Sequence, residues 1–228
     1  MIWRSLICFS IGVSLVAAGA VTGTVVLRDS KAKDSSGVAV WLTPAPGTPA
    51  APPAPPGRAT IIQKNKKFIP HVLAIRTGTA VDFPNYDPIF HNAFSNFSGQ
   101  IFDVGLYKPG SSRTVMFGRP GVVRVFCNIH AAMSAVIVVV NTPWYATTAA
   151  SGEFRIPAVP PGSYRLHVFH ERATPEELSK VDRTVTVNAG ETGVGEVLVS
   201  ESGYLPAPHL NKHGRPYPPG SDTYKVLR

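Results

Sequence analysis

The stretch FCNIHAAMSAVIVVV, residues 126–140, sets a thiol at Cys127, an imidazole at His130 and a thioether at Met133, then runs into an apolar strand. In the preceding VVRVFC, strand alternation with Arg124 toward solvent sends Val123, Val125 and Cys127 to the buried side. The thiol therefore sits inside, at the end of a strand, and a short loop returns His130 and Met133 before the next strand begins. A sulfur and an imidazole three residues apart on one loop can reach a common point, and a thioether three further on can cap it. That is a metal-ligating pattern. Asp103 and Glu153, by contrast, are isolated carboxylates without the pairing that acid–base chemistry needs.

One more imidazole would complete a trigonal set of two His and one Cys with a weak axial Met, the donors associated with blue copper. The run DFPNYD, residues 82–87, leads to His91-Asn92, which can supply that imidazole from a neighbouring strand. Such a site needs Cys127 as thiolate, and the metal itself supplies the charge that keeps it deprotonated. Soft sulfur favours Cu(I) while imidazole suits Cu(II), so a site with both cycles between the states without changing ligands.

The compartment sharpens the question of Cys127. The first twenty residues, MIWRSLICFSIGVSLVAAGA, carry Arg4, an apolar run from Leu6 to Ala18, and the small-residue site Ala18-Gly19-Ala20. They read as a secretory signal cleaved after Ala20, too short for a comfortable membrane span. Cys8 leaves with that segment, so the exported chain has one thiol and no internal disulfide. A lone thiol in an oxidising compartment is a liability unless something ties it up. A periplasmic or secreted protein with no stable membrane span after cleavage is expected.

The 22 Lys+Arg and 14 Asp+Glu give a net charge of +8, which the loss of Arg4 brings to +7. This balance favours acidic partners or anionic surfaces. Nucleic acid is not expected, because only Lys64 to Lys67 (KNKK) cluster and no recognition motif accompanies them.

These residues need rigid elements to hold them. The 22 Pro and 20 Gly cut the chain into short Val-rich runs: 21–28, 37–42, 59–63, 72–76, 80–83, 113–117, 122–127, 134–140, 152–156, 163–169, 183–187 and 194–199. Their spacing predicts an all-β protein of sandwiches. One helix is expected at Thr174 to Lys180, with Thr174 as N-cap, Pro175 at the first helical position and Glu177 as capping-box partner. The Pro/Ala tract 43–57 reads as an extended linker, and 202–228 as a Pro-rich tail laid over the surface or disordered, neither carrying chemistry.

FIPHVLAIRTGTAVDFPNYDPIFHNAFS, followed by PGVVRVFCNIHAAM, resembles the cupredoxins, the plastocyanin and amicyanin family of single-domain blue copper proteins. In that family the first ligand is a His followed by Asn after an FxNxD-like stretch, and the other three lie in a CxxHxnM loop. The resemblance covers about residues 58–142, and the gap between His130 and Met133 is similar to the short amicyanin form. It implies a Greek-key β-sandwich, one type 1 copper ion, and His91, Cys127, His130 and Met133 as its ligands. It further implies that Asn92 pins the ligand loop and offers a backbone N–H to the thiolate, and that His130 exposes its ring edge through an apolar patch. Ile129, Ala131, Ala132 and Pro109 are the candidates for that patch.

SGEFRIPAVPPGSYRLHV and VTVNAGETGVGEVLV, residues 151–168 and 185–199, resemble the carboxypeptidase regulatory-like domain, a small non-catalytic sandwich. Its opening strands are missing after Trp144, yet VTGTVVLRD and GVAVWL resemble them. The expected organisation is therefore 1–20 signal, 21–42 opening strands of the regulatory-like sandwich, 43–57 linker, 58–142 cupredoxin domain, 143–201 the remainder of the regulatory-like domain, and 202–228 tail.

The resemblance implies a one-electron carrier between periplasmic redox partners, with an acidic protein such as a c-type cytochrome or a dehydrogenase opposite it. The alternative is a copper-binding or delivery protein, or an adhesion module, without an electron-transfer role. No enzyme is expected. An oxidase or nitrite reductase needs closely paired histidines for further copper, and the seven histidines include no HxH pair. Cys127 is flanked by Phe126 and Asn128 where an internuclear conduit would use His, and a dinuclear centre would need a second loop cysteine. Elsewhere, His71 has no evident partner, His167 and His170 should point to opposite faces, a second metal site on them with Glu171 being a minor alternative. His209 and His213 read as surface groups, and Met116 as core filler.

Overall fold

The computed structural model describes residues 18–30, 34–51, 55, 57–96, 99–206 and 208–222, so the signal assigned to 1–20 lies almost wholly outside the described residues. Two strands come first, β1 (Gly19–Arg28) and β2 (Ala39–Pro44). Ten follow in a long excursion: β3 (Arg58–Thr60), β4 (Ile62–Lys64), β5 (Lys67–Ile69), β6 (Val72–Arg76), β7 (Thr79–Pro84), β8 (Phe94–Ser95), β9 (Phe102–Asp103), β10 (Ser112–Phe117), β11 (Gly121–Phe126) and β12 (Ser134–Val140). The chain then returns through β13 (Tyr145–Thr147), β14 (Glu153–Val159), β15 (Gly162–Phe169), α1 (Pro175–Val181), β16 (Arg183–Val187) and β17 (Glu191–Ser200).

Pairing divides these strands into two sandwiches. The first and last strands meet: β1 lies between β14, antiparallel, and β17, parallel, while β2 lies between β13 and β15, with β16 beyond. The excursion builds a separate pair of sheets, β6-β12-β11-β8-β9 and β10-β7-β3, with the β4-β5 hairpin alongside. No strand of β3 to β12 hydrogen-bonds into the sheets of β1 and β2 among the described residues. The two-residue strands at 94–95 and 102–103, and the short ones at 67–69 and 145–147, go beyond the sequence expectation.

The four larger sheets stack as layers, and three apolar cores lie between them. Val40, Leu42, Phe154, Ile156, Tyr164, Leu166 and Val197 fill the first core, inside the sandwich of β1, β2 and β13 to β17. Phe83, Tyr107, Phe117, Val125, Cys127, Met133 and Ile137 fill that of the other. The third joins the two: Val72, Ala74, Val136, Val138 and Val140 meet Ala39, with Trp41, Tyr145 and Phe169 packed against them. This explains why β12 reads SAVIVVV with no polar alternation. Ala135, Ile137 and Val139 face one core while Val136, Val138 and Val140 face the junction, so both faces are dry. An apolar junction of this kind holds the two sandwiches in one orientation.

Local rules account for the details. Thr174 caps α1 by accepting the Glu177 amide at 3.3 Å, with Pro175 starting the helix, although the Glu177 carboxylate takes Lys180 rather than closing a capping box. Gly152, the glycine of the GEF turn, has φ +83° and a Cβ there would stand 2.0 Å from the Val25 carbonyl, so β1 can approach only a glycine. Met116, expected in the core, is instead 55% exposed, because it falls on the outward side of the edge strand β10.

Val138→Asp would place an unpaired carboxylate in the junction. Urea denaturation is expected to show a loss of about 3–5 kcal/mol, with the single transition of the parent splitting in two as the sandwiches uncouple.

Candidate metal centre

Three donors converge at one end of the inserted sandwich, and each is delivered by a different backbone device. Cys127 follows directly on β11, on the buried side that alternation assigned to it. His130 comes from the loop after it, which two backbone bonds close: the Cys127 amide donates to the Met133 carbonyl and the Met133 amide to the His130 carbonyl, both at 3.2 Å. His91 precedes β8 and is pinned to Tyr107 by a pair of backbone bonds, at 3.2 and 2.9 Å.

The Cys127 Sγ lies 3.9 Å from His91 Nδ1 and 3.7 Å from His130 Nδ1, and the three donor atoms all fall within 4.8 Å of one another. A metal bound at about 2.0–2.1 Å from nitrogen and 2.3 Å from sulfur in a trigonal arrangement would separate each N and S by roughly 3.8 Å, so the spacing fits an ion held by all three. Among the described residues this is the one group of three or more His, Cys, Asp or Glu side chains so disposed. Met133 is fully buried in the core that includes Cys127.

Burial sets the protonation of these groups. It pushes the Cys127 thiol up, against the opposing pull of backbone N–H groups of Ile129, Asn92 and His130. It lowers both imidazoles. His91 is depressed chiefly by burial and only partly restored by Asp87, while His130 drops to about 4 through burial and the nearby charges of His91 and Lys66. Both rings are therefore neutral at neutral pH, with lone pairs available to a cation.

A carboxylate that sequence reasoning passed over supports the set from behind. Asp87 Oδ2 accepts from His91 Nε2 at 2.7 Å, leaving Nδ1 to face the sulfur. Burial opposes its ionisation, yet the Lys66 amide, the His91 ring and the Asn65 amide together hold it below the usual carboxylate range. Asp87 and His91 are four positions apart, a spacing that means nothing outside a helix until this turn folds.

Asn92 links the ligand loop to the neighbouring turn. Its Oδ1 accepts the Asn128 amide at 3.3 Å, its Nδ2 donates to Asp103 at 2.7 Å and to the Gly105 carbonyl, and its own amide faces the thiol. Asp103 is thus not isolated: it takes Asn92, the Gly105 amide and the Lys212 ammonium.

The surroundings of His130 differ from expectation. The ring is 7% exposed, and the expected apolar patch is partly covered by residues 208–222 of the tail. Phe90, at 55% exposure, and Ile129 line the groove that remains, with Pro218 and Pro219 opposite. The tail thus packs on the ligand loop through side chains, where it was expected to carry no chemistry.

His71, His167 and His170 have structural partners. His71 bonds Glu171 at 2.8 Å and the Ser134 carbonyl, correcting the expectation that it has none. His167 bridges Thr43 and Asp182, and His170 meets Glu201 at 2.8 Å, so they form no second metal cluster among the described residues.

Comparisons with known proteins find similarities to parts of the chain. Residues 128–202 match the family model of the carboxypeptidase regulatory-like domain. That match starts inside the ligand loop, whereas β12 hydrogen-bonds to β11 and β6, so backbone pairing places it in the other sandwich. Among solved structures, the chain is similar to a purple cupredoxin from Nitrosopumilus maritimus, at 26% identity over 36% of this chain and 99% of that one, with a TM-score of 0.34. It is similar also to a copper-containing nitrite reductase from Thermus scotoductus, at 29% identity over 42% of this chain but only 24% of that one, TM-score 0.35. A reduced amicyanin variant matches at 18% identity over 38% and 86% of the two chains, TM-score 0.35. No curated protein sequence matches the chain. The chain is built almost entirely of β-strands, and its residues 128–202 are similar to the carboxypeptidase regulatory-like family.

The low value at His130 has a sign. In the metal-free protein the unfolded chain takes up a proton near pH 6.5 and the folded one only near 4, so stability is highest above 6.5 and falls as pH drops through that window. Urea titrations in chelator at pH 7 and pH 4 are expected to differ by on the order of 3 kcal/mol from this group, and His130→Gln to remove that part of the slope.

Proposed function

We propose that the protein is an exported one-electron carrier built on a single type 1 copper ion. The observation that carries this reading is the buried triangle of one thiol sulfur and two neutral imidazole nitrogens, with N···S distances of 3.7 and 3.9 Å. Cys127, His91 and His130 would hold the ion, and the buried Met133 thioether would serve as a further, weaker sulfur donor. That donor set is mixed, soft sulfur with imidazole, and suits copper over the oxygen-seeking cations. When bound, the ion supplies reversible uptake of one electron.

The remaining chemistry belongs to the chain. Cys127 gives up its proton on loading, and the amides of Asn92, Ile129 and His130 around its sulfur favour the thiolate. Asp87 fixes the His91 ring with Nδ1 inward and raises its basicity as a ligand. The packed β-sheets keep the donors in place, so little rearrangement accompanies a change of charge. His130, at the rim, is the exit toward a partner, and its narrow groove is lined by Phe90, Ile129 and Pro218.

The positive balance of the chain favours an acidic redox protein as partner, such as a c-type cytochrome or a dehydrogenase. Periplasmic or secreted placement fits the amino-terminal residues and the lone thiol, and no helix among the described residues is long and apolar enough to cross a membrane. Copper delivery, the competing function, is disfavoured by the full burial of Cys127, since delivery needs donors that a recipient can reach. Catalysis is not part of the proposal.

Addition of Cu(II) to the purified protein is expected to give an intense visible thiolate-to-copper band, absent in Cys127→Ser, together with reversible one-electron voltammetry. A colourless complex, or one that cannot be cycled, would end this reading. In the same assay Asp87→Asn should retain the band and raise the reduction potential, because removing a buried negative charge from behind His91 disfavours Cu(II).

A further inference from the structure

The tail from Pro208 to Asp222 has no strand or helix, yet it bonds to nearly every accessible point of the ligand loop. Tyr217 Oη donates to the Cys127 carbonyl at 2.8 Å, and the Lys212 amide to Asn128 Oδ1 at 3.0 Å. His209 Nε2 reaches the Ala131 carbonyl at 2.7 Å, and the Ala132 amide donates to Asp222 Oδ1 at 2.9 Å. The His209 ring also stacks on Phe126 at 3.9 Å and meets Tyr217 edge-on at 5.2 Å. At the sides, Lys212 pairs with Asp103 and the Lys66 ammonium bonds the Asp222 carbonyl, each at 2.7 Å.

Ile129 and His130, in the middle of the ligand loop, open on the groove walled by Pro218 and Pro219. The segment itself buries no apolar side chain completely and most of its residues are exposed. It is therefore held by polar contacts and one ring stack, which open far more readily than a core does.

We propose that Pro208–Asp222 is a strap that gates the metal end of the protein: closed, it limits approach to His130 and to the thiol beneath it, and a docking partner must displace it or seat against it. The strap occupies, from within the same chain, the face through which the electron carrier proposed above would exchange electrons. The inference rests on that reading for its redox consequence but not for its structural one.

The test uses the full chain in a Cys8→Ser background, so that Cys127 is the one reactive thiol. In the metal-free protein, His209→Ala/Tyr217→Ala is expected to speed alkylation of Cys127 by iodoacetamide about tenfold, the ratio set by losing a hydrogen bond and a ring stack. Asp222→Ala, which loosens the strap from its far end and leaves the loop intact, should act in the same direction. Copper-loaded, both variants should keep the parent visible band while accepting an electron faster from hexaammineruthenium(II), which ends as ruthenium(III) as Cu(II) becomes Cu(I). Alkylation rates within about twofold of the parent in both variants would overturn the strap. Absence of the visible band in every form would instead overturn the electron carrier, and the thiol rates would still decide the strap.

Discussion

The structure is organised around one electrostatic constraint: a thiol and two imidazoles are kept together, fully or almost fully out of water, close enough to share a cation. Left alone, such burial favours the neutral thiol and neutral rings, as the raised Cys127 and lowered His91 and His130 record. The chain does not relieve this with a protein counter-charge at the sulfur. It supplies backbone N–H groups there and sets a buried carboxylate, Asp87, behind His91.

Holding that arrangement requires stiffness, and the layered architecture provides it. The inserted sandwich is backed by the junction of Val136, Val138 and Val140 against the sheet of β2 and β15, so β11 and β12 cannot shift without disturbing two cores. The sandwich of β1, β2 and β13 to β17, with no metal cluster of its own among the described residues, acts as a buttress. The His71–Glu171 ion pair ties the two bodies again at the rim of this junction.

Much of this was legible in sequence where a physical period existed. Val-rich runs of five to seven residues became strands at nearly their expected bounds, with 72–76, 134–140 and 183–187 matching residue for residue. Cys127, His130 and Met133 were legible because a strand end and a short loop fix their relative places, and His91 because Asn92 and the preceding turn accompany it. Strands of two or three residues, such as 94–95 and 102–103, have no period to detect. Asp87 stayed hidden because its partnership depends on a turn rather than on a repeat. The tail was illegible for a different reason: its order derives from His209, Lys212 and Asp222 meeting Phe126, Asn128 and Ala132 in space, and a segment rich in Pro and polar residues carries no trace of that.

The parallel pairing of β1 with β17 joins residues such as Val25 and Val197, among the most distant in the chain. During vectorial synthesis or export, the opening strand emerges with no mate and stays unpaired until almost everything else has followed. The intervening 58–140 segment closes on itself through its own sheets and can mature first. The shell around it is then completed last, by a slow long-range closure, so an edge able to recruit stray strands is exposed throughout biogenesis and vanishes only when the final hydrogen bonds form.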